Sequence, residues 1–170
     1  LKQLGVIIKK IKPKNYLVYG KGLGSLYIKK KTILNCGNSG TLARLLIGIL
    51  STTPGINVKI TGDKSLKKRN MSKLIDLMSQ FGASFQKNKF YFPFSMTSSS
   101  IPLGITYNAG VSAQLKSAVI LAGLNSYSTS TIVEKKQSRD HTENMLLNSS
   151  RVLNIKNNII KIPGKKYLNS

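Results

Sequence analysis

Acidic side chains are scarce in this chain: Asp and Glu together number 5, against 27 Lys and Arg. There is a single His, and the formal net charge is +22. No pair of carboxylates announces acid–base chemistry. Asp63 and Asp140 sit at turns where capping accounts for them, and Asp76 belongs on the exposed side of a helix. Cys36 is the only cysteine, which excludes an internal disulfide and fits a reducing compartment. It ends an apolar strand with no histidine nearby in sequence, so a buried thiol is expected rather than a nucleophile. No apolar run reaches the length of a bilayer span. The first residue is Leu1, with no charged-then-apolar leader, and the expectation is a piece cut from something longer.

What is abundant is lysine. Such a charge balance attracts polyanions: nucleic acid, an anionic membrane or phosphorylated metabolites. The lysines are spread along the chain, with short clusters at Lys29 to Lys31, Lys67 to Arg69 and Lys165 to Lys166. No basic block carries the interleaved aromatics that favour single-strand binding. A general bias toward Lys, Asn, Ile and Ser explains this better than a nucleic-acid patch does. With 170 residues and 41% hydrophobic content, the chain can build one domain with a real core.

Residues 16–28, YLVYGKGLGSLYI, read as two short strands around a glycine turn. TILNCG is a strand, followed by a helix from about Ser39 to Leu50. Leu42, Leu45, Leu46, Ile49 and Leu50 form its apolar stripe. NVKITG alternates as a strand, and a second helix runs from about Met71 to Phe81, with Met71, Leu74, Ile75 and Met78 on one face. Gly82 caps it, and SFQKNKFYF reads as a hairpin turning near Lys87 to Lys89. MTSSSIPL is then a linker, and the order repeats. GITYNAG is a strand and SAQLKSAVILAG a helix, with Leu115, Ala118, Val119 and Ala122 on its stripe. STSTIVE is a strand, DHTENMLLN a weaker helix, and RVLNIKNNIIKIPG a hairpin turning at Asn157-Asn158. Ser39 and Ser112 hold equivalent places, 73 positions apart, so the repeat is a supersecondary unit.

Two helix openings carry the functional signal. A helix start leaves backbone N–H groups unpaired and partly positive, which suits phosphate and carboxylate. In GNSGTLAR, Gly37 and Gly40 let an anion approach the amides. Asn38, Ser39 and Thr41 add side-chain hydrogen bonds, and Arg44 adds a bidentate contact one turn in. In the second copy Ser112 and Gln114 supply hydroxyl and amide, and Lys116 is expected to add charge. If the copies pack as equivalent units, both openings face one cleft. GDKSLKKRN places Arg69 just before the second helix. QSRDHT offers Ser138 and Arg139 as anion contacts, with His141 in a structural place.

LNCGNSGTLARLL, TGDKSLKKRNMSKLIDLMSQFGA and SAQLKSAVILAGL…SRDHTENML resemble, in order, the signature segments of the EPSP synthase family. These are the 3-phosphoshikimate 1-carboxyvinyltransferases of the shikimate pathway, and the likeness covers nearly the whole chain. The resemblance implies an α/β (α+β) fold of two similar domains, each of three βαβαββ repeats. It implies that residues 1–28 are the tail of a first repeat, 32–95 the second and 104–164 the third, with the other domain absent. The reaction it implies joins the 5-hydroxyl of shikimate 3-phosphate to phosphoenolpyruvate and releases phosphate, without cofactor or metal, in the cytoplasm. A monomeric full-length enzyme is also implied, and nucleic acid and membrane are not expected as partners. By resemblance Asn38, Gly40, Arg44, Arg69 and Gln114 serve phosphoenolpyruvate. Ser112, Ala113, Gln114, Ser138 and Arg139 serve shikimate 3-phosphate. No catalytic residue is expected in this chain, because the family's proton-transfer groups come from the other domain. Glyphosate sensitivity of the parent is implied, since Gly40 leaves space that a larger side chain fills in tolerant members. Ala113 loses a hydroxyl where other members have serine, and Asn70 replaces the usual proline after the loop arginine. The related UDP-N-acetylglucosamine enolpyruvyl transferases usually carry a reactive cysteine in the loop equivalent to GDKSLKKRN, which has none here.

Overall fold

β3 (Ile33–Asn35) leads into α1 (Gly40–Ser51), and the chain returns as β4 (Asn57–Thr61), parallel to β3. α2 (Ser72–Gln80) follows, then an antiparallel pair, β5 (Ser84–Gln86) and β6 (Phe94–Thr97). β6 closes on β4, giving the strand order β3-β4-β6-β5. The second half repeats this. β7 (Thr106–Ala109), α3 (Ala113–Gly123), β8 (Ser130–Glu134), α4 (His141–Ser149), β9 (Asn154–Lys156) and β10 (Ile159–Ile162) build the order β7-β8-β10-β9. This computed structural model describes residues 1–29, 32–86, 90–149 and 152–165. The turn expected at Lys87 to Lys89 therefore lies outside the described residues, and so does Arg151 at the start of the last hairpin.

The helices form because their apolar residues recur at helical spacing. α2 buries Leu74, Ile75 and Met78 beside Met71, the stripe read from the sequence. Full burial of each such side chain contributes about 2 kcal/mol. Gly82 then leaves the helix at φ 95°, a left-handed conformation that glycine adopts without cost. At the final hairpin Asn157 and Asn158 both take positive φ, 48° and 60°, the two-residue turn that matches strand twist.

Three elements differ from the sequence reading. The glycine-rich segment expected as two strands over residues 16–28 is instead only half a strand pair. β1 (Ile7–Lys12) pairs with β2 (Asn15–Tyr19), and the chain turns at Lys14, φ 66°. Gly22 and Gly24 sit at φ 78° and 70°, which ends any extended run there. The buried face of α1 is rotated from the expected stripe. Ala43 and Ile47 are fully buried beside Leu46 and Leu50, whereas Leu42 is 46% exposed. β6 starts at Phe94 rather than at Phe90, after the cis Phe92-Pro93 bond.

α1 and α3 lie side by side and parallel, and they bring the halves together. Gln114 bonds Thr41 at one end of the pair, and Asn125 donates to the Thr52 carbonyl at the other. Between them, Gly48 packs directly on Ala118. A Cβ added at Gly48 would lie 2.6 Å from the Ala118 carbonyl oxygen. One hydrophobic cluster runs through both halves, from Leu34 and Ile60 to Ile132 and Ile160. The β1–β2 ribbon stands outside it, with Ile7, Ile11, Tyr16 and Val18 exposed. Among the described residues no helix is long and apolar enough to cross a membrane.

Candidate functional site

The two helix starts are built alike. Ser39 holds φ −86°, ψ 98° and accepts from the Leu42 N–H at 3.1 Å. Ser112 holds φ −88°, ψ 97° and accepts from the Leu115 N–H at 3.4 Å. Each serine satisfies one of the helix's orphan donors, as an N-cap does. Because α1 and α3 are parallel neighbours, both starts reach the same end of the protein. There Gln114 Nε2 donates to Thr41 Oγ1 at 2.7 Å, and Arg44 donates to Gln114 Oε1 at 2.9 Å. Arg44 also donates to the Gly40 carbonyl at 3.3 Å.

The 62–70 loop brings the second arginine to this place. Gly62 presses on the Gly37 carbonyl, which also accepts from the Asp63 N–H at 2.9 Å. The Asp63 carboxylate accepts from the Leu66 N–H at 2.7 Å, so it caps a short 3-10 turn (Leu66–Lys68). Arg69 leaves that turn extended and donates to Asn38 Oδ1 at 3.3 Å. Asn70 accepts from the Ser72 N–H at 2.7 Å, which anchors the start of α2.

Gly40 lies between the two guanidiniums. A Cβ built there would sit 2.5 Å from Arg69 Nη1 and 2.9 Å from Arg44 Nη1. Burial, and then the Arg69 charge, pull the Arg44 guanidinium below its ordinary value. Two cations held this close are an arrangement that an anion relieves. An open cleft of about 840 Å³ adjoins Arg44, bounded by Asn70, Met71, Tyr107, Ser112 and Leu115.

Asn38, Gly40, Arg44, Arg69 and Gln114 thus form one continuous group, and Ser112 and Ala113 lie in the same helical turn as Gln114. Ser138 is tied to α3 through Glu134, the partner of Lys116. Ser138 donates from both its N–H and its hydroxyl to Glu134 Oε1, at 3.1 and 3.0 Å. Arg139 and His141 are exposed. Cys36 is buried, and burial pushes its thiol up, so a reactive thiolate is disfavoured there.

Lys116 corrects the sequence reading. It adds no charge to the second opening, because its side chain is fully buried and paired with Glu134 at 3.0 Å and with Glu143. Arg44 is the fifth residue beyond its capping serine, whereas Lys116 is the fourth beyond its own. The fourth place in α1 is Ala43, which faces the core. One residue is a rotation of about 100°, enough to carry a side chain from the rim to the interior. Burial alone pulls the Lys116 ammonium down. Hydrogen bonds and charges from Glu143 and Glu134 outweigh that and hold it above its ordinary value. Burial likewise pushes the Glu134 carboxyl up, and the bonds from Lys116 and Ser138 reverse this to hold it down. The sequence carried a signal for this cluster. Glu134 falls on the inward alternation of β8 with Ser130 and Ile132, and Glu143 shares the buried face of α4 with Leu146.

The sequence model of EPSP synthase (3-phosphoshikimate 1-carboxyvinyltransferase) matches residues 1–170. The chain belongs to the EPSP synthase family. The 3-phosphoshikimate 1-carboxyvinyltransferase of Paramagnetospirillum magneticum is 40% identical over 150 residues, 87% of this chain and 33% of the relative. That of Thermodesulfovibrio yellowstonii is 40% identical over 166 residues, 95% of this chain and 38% of the relative. The chain therefore spans about a third of the length of these curated family members. Among solved structures, EPSP synthase from Acinetobacter baumannii superposes with a TM-score of 0.89 at 34% identity, over 99% of this chain and 38% of that one. The enolpyruvyl transferase NikO of Streptomyces tendae superposes at 0.56 with 16% identity, over 96% of this chain and 38% of that one, and shows the shared fold alone.

Proposed function

We propose that this chain is the substrate-holding part of an enzyme that transfers the enolpyruvyl group of phosphoenolpyruvate to the 5-hydroxyl of shikimate 3-phosphate, with release of phosphate. The observation that carries this reading is the meeting of Arg44, Arg69 and Gln114 around the bare backbone of Gly40. Asn38, Gly40, Arg44, Arg69 and Gln114 hold phosphoenolpyruvate. Ser112, Ala113, Gln114, Ser138 and Arg139 hold shikimate 3-phosphate. In this reading residues 1–28 are the tail of a first βαβαββ unit, and 32–95 and 104–164 are the second and third.

Two anions held at adjacent helix starts are prepared for reaction by position and by charge neutralisation. In this reading the proton transfers fall to groups outside this chain, and the carboxylate that borders the cleft, Asp76, is exposed. Asp63 caps the 3-10 turn, and Glu134 and Glu143 enclose Lys116. The 170-residue chain therefore binds substrates without turnover. The related UDP-sugar reaction finds no support, since the 62–70 loop holds no cysteine and Cys36 is buried.

Calorimetric titration of the purified chain tests this. Saturable binding of shikimate 3-phosphate, competed by inorganic phosphate, is the expected result. Binding of unrelated DNA that weakens with salt, with no response to shikimate 3-phosphate, overturns the reading. Product formed by the chain alone contradicts the assignment of a holding role only.

A further inference from the structure

We infer that the buried Lys116–Glu134 pair is a positioning device for the substrate-phosphate subsite: it holds Ser138 where a phosphate oxygen can take up the serine hydroxyl. The inference rests on the substrate assignment above and adds two residues to it. Lys116 belongs to α3, one turn beyond Ser112 and two residues beyond Gln114. Glu134 ends β8, and Glu143 lies in the first turn of α4. One ammonium thus fastens three elements at the point where they present their polar groups. A hydroxyl pair between Ser117 and Thr142, 2.8 Å apart, braces α3 and α4 beside it.

Fold stability alone does not require this charge. The equivalent place in α1 is Ala43, fully buried and apolar, and that half of the molecule packs the same way without an ion. Buried ion pairs are a weak means of stabilisation, because desolvation offsets most of the attraction. The cluster is not even balanced, since two carboxylates face one ammonium and Glu143 Oε2 is buried without a hydrogen-bond partner. What the cluster does achieve is geometric. Glu134 Oε1 accepts three donors at once: Lys116 Nζ at 3.0 Å, the Ser138 N–H at 3.1 Å and the Ser138 hydroxyl at 3.0 Å. The N–H bond fixes the backbone of Ser138. The hydroxyl is a free rotor, so its proton can swing to a phosphate oxygen while the N–H bond stays in place.

Lys116→Met leaves two buried carboxylates without their cation and threatens the fold itself. Glu134→Ala is the better variant, because Lys116 keeps Glu143 as its partner. Loss of the anchor is expected to weaken shikimate 3-phosphate binding about tenfold and phosphoenolpyruvate binding less than about twofold. Glu134→Gln keeps an acceptor oxygen and retains most of the affinity. In a Ser138→Ala background Glu134→Ala adds nothing further, because both act through one group. Amide exchange at Ser138 accelerates in Glu134→Ala, whereas Leu115, capped by Ser112, stays protected. Unchanged or tighter shikimate 3-phosphate binding in Glu134→Ala overturns the inference, for then Glu134 is only a negative charge near the phosphate. Equal losses for both ligands, or additive losses with Ser138→Ala, overturn it too. A parent chain that binds no shikimate 3-phosphate removes the substrate assignment and this inference together. The other adverse outcomes remove the inference alone.

Discussion

Gln114 accepts a hydrogen bond from Arg44 at 2.9 Å, across 70 positions of sequence and between two helices. The same amide donates to Thr41, so its orientation is fixed from both sides. Arg44 is thereby aimed without being neutralised, and its charge remains for a ligand. Replacing Gln114 with Ala frees the guanidinium and removes an acceptor from a charged donor. Phosphoenolpyruvate binding, read by calorimetry, is expected to fall about tenfold, in keeping with about 1.5 kcal/mol for such a bond.

Arg69 stands at the end of an exposed loop and reaches Asn38 rather than the α3 start. Arg69→Ala is expected to weaken phosphoenolpyruvate more than shikimate 3-phosphate. Parallel titrations with the two ligands check this, and equal losses contradict the assigned role.

Gly40→Ala tests the space between the arginines. The new methyl lies 2.5 Å from Arg69 Nη1 and 2.9 Å from Arg44 Nη1, so both side-chain ends must move. They are flexible and can do so, and stability is expected to change by less than about 1 kcal/mol. Affinity for phosphoenolpyruvate, and for any inhibitor that competes with it, is expected to drop. Denaturation and titration of one sample separate the two effects.

Gly48→Ala behaves in the opposite way. Its added carbon meets the Ala118 backbone, 2.6 Å from the carbonyl oxygen and 3.0 Å from Cα, which cannot rotate aside. Overpacking of this kind costs about 1–3 kcal/mol. The urea midpoint is expected to fall, and ligand affinity with it, because the helices part between Gln114 and Asn125.

The titration of the Lys116 cluster sets a pH window. The Glu134 carboxyl is held below its ordinary value in the folded protein, so its contribution is complete above about pH 4.3 and is lost as pH falls through the folded value. The Lys116 ammonium is held above its ordinary value, so its contribution is complete below about pH 10.4 and is lost as pH rises further. Urea midpoints of the parent and Glu134→Gln are expected to differ at neutral pH and to converge in acid.

The repeated strand–helix order was legible because each helix carries its own start signal: the capping Ser39 and Ser112 stand before apolar periodic runs. The contact of Arg44 with Gln114 was not, since no local pattern states which helices become neighbours. The buried face of α1 was misplaced by one residue because α1 is apolar nearly all round, so Leu42 and Ala43 compete for the interior and packing against α3 decides. Lys116 was read as a surface charge because lysine almost never lies fully buried unless it is paired. Its two partners come from β8 and α4, far along the chain.

Because α1 and α3 run the same way side by side, their peptide dipoles push against one another, and Arg44 and Arg69 add a like-signed pair at the same end. That end is held together by the Arg44–Gln114–Thr41 hydrogen bonds, with the tight seam at Gly48 further along the pair. Buffer composition is therefore expected to act there: sulfate raises the melting temperature of the parent more than chloride does, and by more than it does in an Arg44→Ala variant.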